Sequence, residues 1–214
     1  MNHNQKLLGY YDYTVILTYI GMLTGFIGIV SAFEDNPFKA VICLMLAGFC
    51  DMFDGAIAST KVRTQQEKCF GIQIDSFSDL ICFGALPAIL VYSQNRGKPI
   101  VLASCALYLL CALIRLAYFN VDEQERQQSS DAPREINYGL PVTMSALFLP
   151  VVHGAGCLSS RKSSAAPTAA LLIMALLFLL PFPLRKPKRI GKICLILCGI
   201  TEIAFVLFAC GGVR

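Results

Sequence analysis

The sequence is short of charge. Only 15% of its 214 residues are Asp, Glu, Lys or Arg, against about 25% in an ordinary soluble domain. Hydrophobic residues make up 56% and the mean hydropathy is +0.61. That balance excludes a soluble globular domain. There is no glycine-rich phosphate loop, no dinucleotide fingerprint and no GxSxG elbow, which removes the usual sequence grounds for a P-loop, Rossmann or α/β-hydrolase enzyme. The two histidines, His3 and His153, lie far apart and receive no role. None of the ten cysteines has zinc-ribbon spacing. Cys194 and Cys198 share a helical face but no His or second pair accompanies them, so the cysteines read as small apolar core residues. There is no internal repeat. The N-terminus lacks the basic stretch, short apolar core and cleavage site of a secretory signal, so the first apolar block is expected to stay in the mature protein.

What the chain has instead is apolar length. A bilayer-spanning helix needs about 20 mainly apolar residues. Seven blocks qualify, at about 13–33, 39–59, 73–94, 98–119, 139–157, 165–183 and 190–211. They consume most of the chain, which predicts an all-α integral membrane protein, a polytopic helical bundle in one domain over residues 1–214. With the N-terminus inside, segments 1–12, 60–72, 120–138 and 184–192, counted with Arg115, carry twelve of the eighteen Lys and Arg. Cytoplasmic loops collect such residues. The net charge of +4 therefore reads as orientation in the cell membrane and not as a nucleic-acid surface. Tyr10, Tyr11 and Tyr13 are expected at the interface, and the polar loop 121–137 is expected to be mobile.

The stretch from Asp51 to Asp79 organises the rest. It holds two aspartate pairs, Asp51 with Asp54 and Asp75 with Asp79, each at the edge of an apolar run. The spacings i, i+3 and i, i+4 put each pair on one helical face. Carboxylates beside hydrocarbon need their charge compensated. Four together imply a divalent cation, and hard oxygen donors point to Mg²⁺, Mn²⁺ or Ca²⁺ rather than zinc. Gly55 and Gly71 allow a close approach of backbone or ligand. Lys61, Arg63 and Lys68 follow in the connecting loop, where they read either as a membrane-surface feature or as a phosphate contact. Arg115 within an apolar run either snorkels to the interface or meets an anion. Glu202 is the only acid deep in a late span.

This stretch resembles the signature of the CDP-alcohol phosphatidyltransferases, DxxDGxxAR followed by GxxxDxxxD. Here it reads Asp51-Met-Phe-Asp54-Gly55-Ala-Ile-Ala58-Ser59, then Gly71-Ile-Gln-Ile-Asp75-Ser-Phe-Ser-Asp79. Ser59 stands where the family has Arg, and the connecting loop is three residues longer than usual. Lys61 or Arg63 is expected to reach back and supply the missing cation. Further segments resemble the phosphatidylserine synthase branch: CysPheGly-Ala-Leu-ProAla at 82–88, ArgLeuAla-Tyr-PheAsn at 115–120 and TyrGlyLeuPro at 138–141. In that branch an Arg usually stands where this chain has Tyr118.

The resemblance implies a six-helix bundle, usually a homodimer, with one extra C-terminal helix here. It implies transfer of a phosphatidyl group from CDP-diacylglycerol to the hydroxyl of L-serine, with release of CMP, at the cytoplasmic interface. It implies two ions, Mg²⁺ or Mn²⁺, with Ca²⁺ less apt. Asp51, Asp54 and Asp75 would be metal ligands, and Asp79 both ligand and general base. Thr18, Gly55, Ala58, Lys61, Arg63 and Gly71 would border the CDP and its phosphates, with Arg115 and Asn120 as contacts to serine or phosphate. Membrane lipids surround the whole. Two other readings stay open on the residues: the same chemistry with glycerol 3-phosphate, inositol phosphate or choline as acceptor, and a cation transporter with the aspartates as its path. The four acids near inner helix ends, beside a basic loop, fit an interface site better than the midplane site of a transporter.

Overall fold

The computed structural model describes residues 9–129, 136–159, 164–185 and 189–211. It is an all-α membrane bundle, as the composition predicts. The helices are α1 (Ile16–Phe33), α2 (Pro37–Ala58), α3 (Gln65–Asp79), α4 (Leu86–Ser93), α5 (Pro99–Ser129), α6 (Ser145–Leu158), α7 (Ala165–Leu179) and α8 (Arg189–Gly211). A π-helical segment, Leu80–Ala85, joins α3 to α4 without a break, so both belong to one crossing from Gln65 to Ser93. Five helical segments are long and apolar enough to cross a membrane, and α6 and α7 form two shorter apolar ones.

Local sequence sets the boundaries. α2 starts where Asn36 accepts from Lys39 N–H and Pro37 takes the first turn. α3 starts eight residues before the expected third block, because Thr64 and Glu67 form a reciprocal capping box. α5 runs past the expected end at 119, up to Ser129. The stretch 121–129 is therefore helical and not a loop, with Glu123 and Arg126 paired at 2.6 Å one turn apart; residues 130–135 lie outside the described residues. The fifth block begins its helix later than expected. Gly139 takes a left-handed φ of +76° and Pro141 precedes a short 3-10 turn. Around them a two-stranded antiparallel ribbon, β1 (Ile136–Tyr138) with β2 (Pro183–Arg185), pairs Ile136 with Arg185. It also shortens the sixth block, whose helix ends at Leu179.

The π segment has an identifiable cause. Pro87 has no N–H to give the carbonyl four residues back, that of Phe83. The ladder slips instead, and Leu86 N–H bonds to Ile81 O. The freed Phe83 carbonyl accepts from the buried Tyr108 hydroxyl at 2.6 Å and from Ser145 Oγ at 3.4 Å. One proline thus ties α5 and α6 to the third crossing.

Small residues let the helices close. A Cβ on Gly25 would sit 2.5 Å from Cys82 Sγ, and one on Gly48 would sit 2.7 Å from Ala146 Cβ. The core runs through Leu44, Phe83, Leu86, Leu90, Tyr108 and Phe178. Contacts at the ends show that the crossings alternate. At one end Tyr13 Oη meets Thr60 Oγ1 at 3.0 Å, Lys61 reaches Asp12, and β1 pairs with β2. At the other, Arg96 donates to Phe33 O at 3.1 Å and Lys98 to Ser164 Oγ at 3.0 Å.

Candidate active site

The last turns of α2 carry Asp51 and Asp54, and α3 carries Asp75 and Asp79. The two helices run in opposite directions around the short turn after Ala58, which brings the two acidic faces together. One carboxylate oxygen each from Asp51, Asp54 and Asp75 lies within 4.8 Å of the others. Asp79 lines the same narrow cavity, with Thr18, Gly21, Cys50, Ser78 and Phe83. Thr18 Oγ1 donates to Asp54 Oδ2 at 3.3 Å, and Ser78 Oγ donates to the Thr18 carbonyl at 3.4 Å. So α1 supports the cluster with a hydroxyl from one side.

Three carboxylates this close repel one another unless a cation lies among them or a proton is shared. An all-oxygen donor set suits a hard divalent ion. The residues fit such an ion: the two cysteines that also line the cavity are the half-buried Cys50 and the buried Cys82, and the Cys82 thiol is turned to the Gly21 carbonyl at 3.3 Å.

The glycines differ in their surroundings. Around a Cβ built on Gly55 there is no heavy atom within 4 Å, so the α2 face beside Asp54 is open. At Gly71 the same position lies 3.1 Å from Arg63 Nη1. The Arg63 guanidinium therefore lies over α3 one turn before Asp75, and among the described residues it makes no salt bridge. Lys61 is engaged elsewhere. It bonds Asp12 at 2.8 Å and Glu67 at 3.1 Å, which holds the Lys61 ammonium above its ordinary pKa through those two carboxylates. The same contact, with help from Thr14, holds the Asp12 carboxyl down at about 2. Ser59 turns its hydroxyl to the Ala56 carbonyl at 2.7 Å, and Ala58 ends α2 half-buried. Of the two cations expected near the aspartates, Arg63 lies one turn from Asp75, whereas Lys61 is held at the far end of α3 by Glu67.

The two α5 candidates part company. Asn120 Oδ1 accepts from Ser76 Oγ at 2.6 Å, so Asn120 is bound to α3 next to Asp75. Arg115 is buried, stacks on Phe119 at 5.6 Å, and lines a different cavity of about 450 Å³ with Tyr118, Tyr138, Phe178, Leu180 and Pro181. Among the described residues that cavity shares no lining residue with the aspartate cavity. Sequence reasoning missed Ser76, Ser78 and Asp12 as supports of the site. Ser76 stood inside the motif beside Asp75, whereas Asp12 carries no pattern that links it to Lys61.

The sequence that carries these two aspartate pairs is similar to known proteins. The family model for CDP-alcohol phosphatidyltransferases matches residues 14–210. A CDP-diacylglycerol–serine O-phosphatidyltransferase of Bacillus subtilis is 30% identical over 139 residues, covering 64% of this chain and 72% of that protein. An archaetidylserine synthase of Methanothermobacter thermautotrophicus is 31% identical over 122 residues, 56% of this chain and 52% of that protein. A CDP-diacylglycerol–serine O-phosphatidyltransferase of Saccharomyces cerevisiae is 31% identical over 147 residues, 63% and 52% respectively. The chain thus spans most of the Bacillus protein and about half of the other two. Since the family match runs from the start of α1 almost to the end of α8 and encloses all four aspartates, the chain belongs to the CDP-alcohol phosphatidyltransferase family.

Proposed function

We propose that the chain transfers the phosphatidyl group of CDP-diacylglycerol to the hydroxyl of L-serine, giving phosphatidylserine and CMP. The observation that carries this is the convergence of Asp51, Asp54 and Asp75 within 4.8 Å, with Asp79 on the same cavity, in a chain of this family. The choice of serine rests on the names of the relatives and on the segments 82–88, 115–120 and 138–141.

Asp51, Asp54, Asp75 and Asp79 hold Mg²⁺ or Mn²⁺, two ions in this reading. When bound there, such ions would supply the positive charge that neutralises the pyrophosphate and the leaving CMP. The remaining work falls to the chain. Asp79 accepts the proton of the serine hydroxyl as that oxygen bonds to the phosphorus carrying the lipid, and the bond from that phosphorus to the oxygen of CMP breaks. Thr18 fixes the rotamer of Asp54. The open face at Gly55 and the end of α2 at Ala58 admit the nucleotide, and Gly71 leaves room for Arg63 to contact a phosphate. Ser76 and Asn120 hold α3 against α5 so that Asp75 and Asp79 keep their register. Arg115, on its own cavity, takes the carboxylate of an acceptor or a lipid phosphate.

The membrane is the cell membrane, with the aspartate end in the cytoplasm, because the basic residues gather there. There serine and CMP exchange with water while the acyl chains stay in the bilayer. Dimerisation is supported by the family resemblance.

The test is CMP release by purified protein in micelles containing CDP-diacylglycerol and Mg²⁺ or Mn²⁺, with L-serine, glycerol 3-phosphate, inositol, inositol phosphate or choline. Release only with L-serine is expected. Release with a different acceptor would keep the site and overturn the substrate.

A further inference from the structure

α6 and α8 carry a cluster that the transfer reaction does not use. His153 and Cys157 stand at i, i+4 on α6, on one face, and Cys210 sits near the end of α8. One ligand atom from each lies within 4.8 Å of the other two, and all three are half-buried. His153 Nε2 is 3.7 Å from Cys157 Sγ. Gly154 favours the approach: a Cβ there would come within 2.5 Å of Phe205 Cε1, so the Phe205 ring of α8 would have to shift. The cluster is remote from the aspartates. α6 passes Gly48 at Ala146, and Cys157 lies about 16 Å further along the helix at 1.5 Å per residue.

We propose that His153, Cys157 and Cys210 bind a thiophilic divalent ion of zinc type, which fastens α8 to α6 at the end opposite the aspartates. Two thiolates and an imidazole are borderline-soft donors, the set that selects zinc over magnesium or calcium. With sulfur about 2.3 Å and nitrogen about 2.0–2.1 Å from a tetrahedral ion, the two donors stand roughly 3.6 Å apart. The observed 3.7 Å between His153 and Cys157 needs almost no adjustment. A Cys157–Cys210 disulfide would explain two of the residues and leave the imidazole idle. The ion would take both sulfurs as thiolates, with release of their protons, and water would fill the fourth position.

The test uses the full chain in detergent with excess Mg²⁺ to occupy the carboxylates. Cobalt(II) is added first, then zinc. One equivalent of Co²⁺ should give a thiolate-to-cobalt charge-transfer band, which oxygen ligands do not produce, and Zn²⁺ should abolish it. In Cys157→Ser the band should be lost, with transferase activity within about two-fold of the parent because the cluster touches no part of the reaction. Alkylation mapped by mass spectrometry needs no variant: Zn²⁺ should protect Cys157 and Cys210 but not the exposed Cys194 and Cys198. The proposal is overturned by absence of the band in the parent, by a band that persists in Cys157→Ser, or by alkylation of Cys157 and Cys210 that zinc does not slow. A parent chain lighter by two hydrogens, with Cys157 joined to Cys210, would overturn it in favour of a disulfide.

Discussion

At the residue scale, the cation missing at Ser59 divides the basic loop into two jobs. Arg63 lies over Gly71 on the aspartate-bearing helix, whereas Lys61 is fixed between Asp12 and Glu67. A charged hydrogen bond to a phosphate contributes about 1.5–3 kcal/mol. Arg63→Ala should therefore lower kcat/KM for CDP-diacylglycerol by roughly ten- to a hundred-fold. Lys61→Ala should leave kcat/KM within about three-fold and lower thermal stability instead, as the loss of a partly exposed ion pair does. Steady-state kinetics and melting curves on the two variants separate these outcomes, and equal losses of kcat/KM would contradict the division. The Asp12–Lys61 contact also sets an acid limit. The folded carboxyl titrates at about 2, below its ordinary 3.8. A depressed carboxyl stabilises the fold above the unfolded value and loses that stabilisation as pH falls through the folded one. The contribution should be full above about pH 4 and fade towards pH 2. Melting in detergent across that window should show Asp12→Asn less sensitive to acid than the parent.

At the element scale, the third crossing shows what a sequence can and cannot disclose. Its acidic face was legible because residues spaced by four, Asp75 and Asp79, share one face of a helix. Its true start at Gln65 was written in the Thr64–Glu67 capping box but was masked by the polar composition of the first turns. The π segment was not legible. Pro87 announces a missing hydrogen bond, yet which group replaces it depends on Tyr108 arriving from another helix. The β1–β2 ribbon and the cluster of His153, Cys157 and Cys210 stayed hidden for the same reason: each joins residues distant in sequence, and no local periodicity encodes their meeting. Tyr108→Phe tests the third crossing directly. It removes the closest donor to the Phe83 carbonyl, and an unsatisfied buried carbonyl costs about 1–3 kcal/mol. The expected result is a lower melting temperature in detergent, with activity reduced no more than stability explains. An unchanged melting temperature would mean that Ser145 alone satisfies the carbonyl.

At the scale of the whole molecule, alternating crossings put the aspartates, the Lys61–Arg63 loop and the ribbon at one end, and the Arg96 and Lys98 contacts at the other. In the proposed orientation the first end faces the cytoplasm, as the positive-inside rule would have it. An epitope inserted after Val62, which is 99% exposed, should be reached by antibody in inverted vesicles and not in intact cells. Detection in intact cells would reverse the orientation. The central claim, that the aspartate cluster drives attack by the serine hydroxyl on the lipid-bearing phosphorus, has one most direct measurement. Purified protein is given CDP-diacylglycerol, a divalent metal and L-serine labelled with ¹⁸O in its hydroxyl, and the products are weighed by mass spectrometry. The account predicts that the label stays in the bridge of phosphatidylserine, that CMP carries none, and that Asp79→Asn slows formation by roughly a hundred-fold or more, the usual range for loss of a general base. Unlabelled phosphatidylserine, or undiminished formation in Asp79→Asn, would contradict it.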